Sequence, residues 1–335
     1  MNWRFWKGRG EPMPSPDHPD WERALFNRMA AEYVADQRTR RRWSFLFKFL
    51  VLLYLFGLLI AANTRNLTEM MSTSEGHAAL IEVKGVIGPA SEASADRVIT
   101  ALRAAFEADH VKGIILRINS PGGSPVQAGY INDEIRRLKA KYKKDKNKEM
   151  PVYAVAVDLC ASGGYYIAVG ADAIYVDKAS LVGSIGVRID SFGFQEAMDE
   201  WGIERRLLTA GSNKGILDPF SPLQESQRAF VQSVLEKLHG QFIAEVKKGR
   251  GDKLKGGDEL FSGLFWSGQE AVELGLADGL GSSSSVAREV IGTEKIVEYT
   301  QKRDLLESLA KRFGASLGLG ILESLSLSSG LGLPR

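Results

Sequence analysis

From residue 79 to about residue 300 the chain reads as one α/β domain with mostly parallel strands, preceded by a single membrane-spanning helix. Two observations predict this. From Leu80 onward, short apolar runs rich in Val and Ile alternate with helix-like segments, the pattern of strands joined by crossover helices. Upstream, Trp43 to Ala62 reads WSFLFKFLVLLYLFGLLIAA, apolar all round, with Lys48 as its only charge. Twenty residues rise about 30 Å as a helix, enough to cross the hydrocarbon layer. Lys48 lies near the N-terminal end, where its stem can carry the ammonium back to the headgroups. At 335 residues the chain is long enough to bury a substantial core.

Taken in order, residues 1–42 form a basic tail with three tryptophans, Trp3, Trp6 and Trp21, and Trp21 to Ala35 can form a short amphipathic helix. Arg38, Arg40, Arg41 and Arg42 stand just before the span, and Arg65 is the only strong cation just after it. Basic flanks stay cytoplasmic, so the tail is expected inside and everything after Asn63 outside. A cleaved secretory leader is the rival reading. A leader of 42 residues is long and its apolar run exceeds a usual signal core, so a signal anchor is expected. Residues 63–78 are a polar linker and 79–300 the folded domain. Residues 301–335 are a flexible tail, rich in Gly, Leu and Ser after Lys311.

Within the domain, strands are expected at Leu80 to Ile87, Gly113 to Ile118, Val152 to Val157, Ala173 to Val176 and Gly186 to Ile189. Helices are expected at Ser94 to Ala108, Val126 to Lys139, Ser162 to Val169 and Phe194 to Gly202. Ser221-Pro222-Leu223-Gln224 has a capping serine, a proline at the first helical position and a glutamine placed to cap back. Phe230, Val231, Val234, Leu238 and Phe242 then keep one face. Ser267-Gly268-Gln269-Glu270 is a second capping box, closed by Gly275 or Gly279. Lys139 to Lys148 reads as a solvated helix end and loop.

Composition narrows the function classes. A net charge of +2 gives no reason to invoke nucleic acid. The single cysteine, Cys160, rules out an intramolecular disulfide and a cysteine-rich zinc site. The four histidines, His18, His77, His110 and His239, are scattered and read as solvated surface residues. No metal or cofactor is expected.

The chemistry concentrates in Asp158-Leu159-Cys160-Ala161-Ser162-Gly163-Gly164-Tyr165-Tyr166. Ser162 follows a strand and opens a helix, so its hydroxyl and the N–H groups behind it converge. A serine hydroxyl needs a base to take its proton and donors to hold the developing oxyanion. Gly163 and Gly164 let backbone approach a substrate carbonyl, and Gly122 and Gly123 in Asn119-Ser120-Pro121-Gly122-Gly123 do the same at the start of the next helix upstream. Lys214, in Gly211-Ser212-Asn213-Lys214, is the candidate base; it must shed its proton near neutral pH, which burial beside bound peptide would promote. Cys160 falls at the strand end and is expected to pack as a small apolar group.

These motifs, with Gly183-Ser184-Ile185-Gly186-Val187 and the elements between Phe261 and Gly279, resemble the signal peptide peptidase A family of membrane-bound serine proteases. The resemblance covers roughly residues 79–281. It implies a ClpP/crotonase-like fold, Ser162 as nucleophile and Lys214 as general base. It implies an oxyanion hole from the backbone of Gly122, Gly123 and Gly163, with Ser184 hydrogen-bonding the lysine. Double-length members split lysine and serine between two domain copies. This chain carries both in one, so the resemblance implies a ring of protomers in which Lys214 serves a neighbour's Ser162; single-domain members form dome-shaped octamers. The family usually has proline and arginine after the lysine turn. Here Asp218-Pro219-Phe220-Ser221-Pro222 keeps the prolines without the arginine, which bears on substrate preference.

The expected activity is therefore that of a membrane-anchored serine endopeptidase, its anchor in lipid through residues 43–62 and its domain facing the periplasm or exterior of a bacterial inner membrane. Its expected substrates are cleaved signal peptides or similar extended apolar peptides. Two alternatives stand beside it. One is a non-catalytic anchored scaffold of the same fold. The other is a crotonase-type acyl-CoA enzyme, disfavoured because such enzymes seldom need an outside-facing anchor.

Overall fold

The computed structural model describes residues 43–57 and 75–300, together with Pro19, Trp21 and Phe26. The chain divides into two compact units, Met1–Ser72 and Thr73–Arg335. In the first, residues 43–57 are helical with exposed side chains. This is the leading part of the expected span; residues 58–62 lie outside the described ones. Among the described residues no helix is long and apolar enough to cross a membrane. The basic flank, most of the linker and the tail 301–335 also fall outside them.

Among the described residues the second unit is built on an eight-stranded sheet. Its strands are β1 (His77–Lys84), β2 (Val111–Ser120), β3 (Val152–Ala161), β4 (Ala173–Val176), β5 (Leu181–Gly183), β6 (Phe265–Ser267), β7 (Gly279–Leu280) and β8 (Ile296–Glu298). The order is β6-β5-β3-β2-β1-β8, with β4 attached to β3 and β7 to β4. Pairing is parallel except between β5 and β6. The long strand β3 changes neighbour along one edge, meeting β4 at Tyr153–Val155 and β5 at Leu159–Ala161.

The period-2 pattern of the central strands explains how both faces are covered. Ile114, Leu116 and Ile118 join Ala79, Ile81, Val83, Ala154 and Ala156 in the main core. Ile115 points the other way, into a smaller cluster with Ala78, Leu80, Val155, Val286 and Ala287. The main core is roofed by α1 (Ala95–Glu107) and α2 (Pro125–Lys146). Helix α1 buries Val98, Ala101, Leu102, Ala105 and Phe106, the i, i+3, i+4 stripe of an amphipathic helix. Helix α2 opens on Ser124, whose side chain accepts from Gln127 N–H, with Pro125 as its first residue, and it ends on Asn147 in the left-handed conformation (φ 50°). Lys143, Lys144 and Lys146 lie in its last turn, where the helix dipole favours cations. The two helices are tied by Glu134, which accepts from Arg103 and Arg137.

Downstream come α3 (Gly163–Ala168), α4 (Gln195–Glu200), α5 (Glu225–Arg250) and α6 (Gly268–Glu273). Ser267 and Glu270 form the reciprocal cap expected of them, and Gly275 at φ 77° follows the end of α6. The buried Arg250 donates to Gly275 O and to Asp278, anchoring the end of α5 on the loop after α6.

Several expectations are corrected. The first strand runs His77–Lys84 and not Leu80 to Ile87. Gly186 to Ile189 pairs with nothing among the described residues; the strand is Leu181–Gly183, just upstream. Helix α5 is capped by Gln224 and not Ser221, because the Ser221 hydroxyl is committed to Asp218 at 2.7 Å. Its expected apolar face is buried only at Phe242, while Phe230 is exposed. One histidine is not a surface residue, and a second is half-buried. His77 is fully buried, with its ring nitrogens at Glu75 O and the Tyr299 hydroxyl, and His239 meets Ile185 O at 3.0 Å.

Candidate active site

The site lies at the carboxyl ends of β2, β3 and β5, where an open parallel sheet gathers its loops. Ser162 follows the last residue of β3 with φ 52° and ψ −121° and stands immediately before α3. A β-carbon at positive φ is strained, and such residues persist only where their surroundings hold them. Here the holding is explicit. Ser162 N–H donates to Gly183 O of β5 at 2.8 Å, and Tyr166 N–H closes the first turn of α3 on Ser162 O at 2.9 Å. The result is a sharp strand-to-helix elbow with a half-buried serine at its tip.

The glycine turn after β2 packs directly on this elbow. A β-carbon at Gly122 would lie 2.6 Å from Ser162 Cβ, 3.0 Å from its Oγ and 2.8 Å from Gly163 N. Gly122 also has φ 101°, and Gly123 has φ 146° with no room for a β-carbon beside Ile87 O. The turn is fixed from behind: Ile87 N–H donates to Gly122 O at 2.8 Å and Ser124 N–H to Ile87 O at 2.9 Å.

The donors around Ser162 are not equivalent. Gly122 N–H is spent on the buried Ser120 hydroxyl at 3.1 Å, and Ser162 N–H on Gly183 O. Among the described residues nothing accepts from Gly123 N–H or Gly163 N–H. These two are open to an acceptor, and Gly122 leaves room beside Ser162 by lacking a side chain. Ser120, inside the quoted glycine motif, and Ile87, an ordinary apolar residue in sequence, are the supports that sequence reading missed.

Ser184 follows Gly183, so β5 brings it beside the elbow; it also has φ 52°, and its N–H donates to Leu264 O at 2.7 Å. Lys214 is placed differently. It is exposed, in a turn where its own N–H donates to Gly211 O at 3.1 Å. Among the described residues no hydrogen bond or ion pair engages its ammonium, and none joins it to Ser162 or Ser184. Cys160 is fully buried, and burial pushes its thiol up to about 12. It is neutral and sealed in the core.

An α/β domain whose sheet ends in a strained serine elbow, faced by two unengaged backbone N–H groups, has the layout serine hydrolases use. The sequence model of Peptidase family S49 matches residues 144–296, which include Ser162 and Lys214. A putative protease of Methanocaldococcus jannaschii, MJ0651, is 30% identical over 223 residues, 65% of this chain and 69% of that one. A putative signal peptide peptidase SppA of Enterococcus faecium is 29% identical over 228 residues, 66% of this chain and 64% of that one. The Na(+)/H(+) antiporter NhaA of Brucella melitensis is 41% identical over 232 residues, 69% of this chain, and the chain spans 30% of that relative's length. A mutant of the 1510-N membrane-bound stomatin-specific protease in complex with a substrate peptide aligns with TM-score 0.42 at 16% identity, over 72% of this chain and 98% of that one. The chain belongs to peptidase family S49.

Proposed function

We propose that the chain is a membrane-anchored serine endopeptidase working through Ser162 and Lys214. The observation that carries the reading is the Ser162 elbow facing the N–H groups of Gly123 and Gly163, which meet no acceptor among the described residues. Ser162 attacks the peptide carbonyl, the two N–H groups hold the oxyanion, and Lys214 takes the hydroxyl proton and delivers it to the leaving amine. Water activated by the same lysine then releases the acyl group. Ser184 orients the ammonium. Residues 43–62 hold the protein in lipid, with the domain on the periplasmic or exterior face of a bacterial inner membrane. That location suits substrates such as cleaved signal peptides or other extended apolar segments, which partition into the same lipid.

Lys214, exposed and without a partner among the described residues, fits a base supplied to a neighbouring protomer. Its surroundings favour assembly. Between β5 and α5 the chain exposes Ile189, Phe192, Trp201, Ile203 and Leu208, with Leu208 95% exposed, more apolar surface than a lone soluble domain ordinarily leaves uncovered. A ring of copies covers it and completes each site.

The test uses the full chain in detergent micelles, with β-casein as substrate and an alkyl fluorophosphonate as active-site probe. Wild type is expected to cleave casein and to label at Ser162; Ser162→Ala and Lys214→Ala are expected to lose cleavage while keeping the assembly. Full cleavage by either variant overturns the dyad. A wild type that neither cleaves nor labels leaves the scaffold reading standing.

A further inference from the structure

The two candidate oxyanion donors stand at the starts of different helices. Gly123 lies two residues before the start of α2 and Gly163 is the first residue of α3. Their N–H groups converge only if the two helices hold a fixed relation. Apolar packing alone is a poor device for that, because hydrophobic contact is non-directional. An oxyanion asks for donors within about 2.7–3.1 Å, and a misplacement of about 1 Å is worth about 10²-fold in rate.

One buried polar side chain spans the gap. Asn132, fully buried on the inner face of α2, donates through Nδ2 to the Tyr166 carbonyl of α3 at 2.7 Å. Its Oδ1 accepts from Arg136 Nε at 2.8 Å, and Arg136 Nη2 continues to Glu245 of α5 at 3.1 Å. Arg136 can only donate, so it fixes which end of the amide faces Tyr166. A β-carbon at Gly170 would stand 3.1 Å from Asn132 Nδ2, so the amide is confined from that side too. The bond joins α2 about two turns beyond its start to the fourth of the six residues of α3, three residues beyond Gly163.

We propose that Asn132 is a positioning residue for the oxyanion hole: it sets the spacing of Gly123 N–H and Gly163 N–H without touching substrate. This rests on the reading of Ser162 as nucleophile. Asn132→Asp keeps the shape but removes the N–H donor and sets a carboxylate oxygen against the Tyr166 carbonyl. Arg136→Gln leaves Asn132 in place and removes the charged support behind it.

The experiment is saturation labelling of the full chain in detergent micelles with an alkyl fluorophosphonate. In that reaction Ser162 Oγ bonds to phosphorus, fluoride leaves, the hydroxyl proton goes to the base, and the phosphoryl oxygen occupies the oxyanion hole. The maximal labelling rate separates from the half-saturating probe concentration. For Asn132→Asp the maximal rate is expected to fall at least about tenfold, with half-saturation within about twofold of wild type. Arg136→Gln is expected to move the same way by a smaller factor. A folded Asn132→Asp with the wild-type maximal rate overturns the proposal, as does a loss confined to half-saturation. Should Asn132→Asp fail to fold, a wild-type rate in Arg136→Gln overturns it equally. A wild type that fails to label, or labels elsewhere than Ser162 by peptide mapping, sinks the nucleophile reading instead.

Discussion

Ser162 keeps a backbone conformation that costs on the order of 1–3 kcal/mol for a residue with a side chain, at φ 52° and ψ −121°. The surrounding bonds hold it there, and Gly122 leaves the space in which it sits. Replacing Gly122 by alanine is the sharpest test of this arrangement. The new methyl would overlap Ser162 Cβ at 2.6 Å in a backbone at φ 101°, so either the elbow or the turn must give. Gly122→Ala is expected to lower the rate of fluorophosphonate labelling by about 100-fold or more, while circular dichroism keeps the helix and sheet signal. A variant that labels at the wild-type rate would show that the turn does not confine Ser162. Cys160, two residues away in sequence, needs no such test of chemistry: its thiol is neutral and fully buried.

At the scale of elements, α1 and α2 are locked by Glu134. Hydrogen bonds from Arg137, more than from Arg103, hold its carboxyl down at about 2 from an ordinary 4.5, against the opposing effect of burial. A carboxylate depressed in the folded state stabilises it above the ordinary value, and the benefit drains away as pH falls from about 4.5 toward 2. Glu134→Gln is therefore expected to melt lower than wild type at pH 7, with the gap narrowing as the pH falls below 5. Thermal melts across that range check it; a gap independent of pH would contradict it. These helices were legible in sequence because their apolar stripes repeat at helical spacing, as were β2, β3 and β4, whose Val- and Ile-rich runs are bounded by polar turns. The rest was hidden for physical reasons. Leu181–Gly183 is too short to show alternation, whereas Gly186 to Ile189 has strand-like residues but pairs with no strand among the described residues. Ser221 has the chemistry of a cap, yet Asp218 takes its hydroxyl first. At the site, the glycines and Ser162 announced themselves by residue type. Which N–H groups were already spent depended on Ser120 and Gly183, contacts that only folding creates.

For the whole molecule, the expected consequence of the uncovered surface between β5 and α5 is assembly. Phe192 and Trp201 are 74% and 80% exposed, so Phe192→Glu with Trp201→Glu is expected to break the proposed ring. Light scattering in detergent should then report smaller particles, and casein cleavage should fall with particle size; unchanged size and activity would refute it. The same region bears on the elbow through one bond. Ser162 N–H ends on Gly183 O, and Gly183 closes β5, which pairs on its outer side with the three-residue β6. The amide of Ser162 is thus fastened to a margin built of three-residue strands rather than to the sheet's centre. In deuterated water it should exchange with the opening of that margin, faster than Ile115 or Leu116, and slow when neighbours clasp it. A single amide would serve as a gauge of the proposed assembly, read from inside the serine elbow.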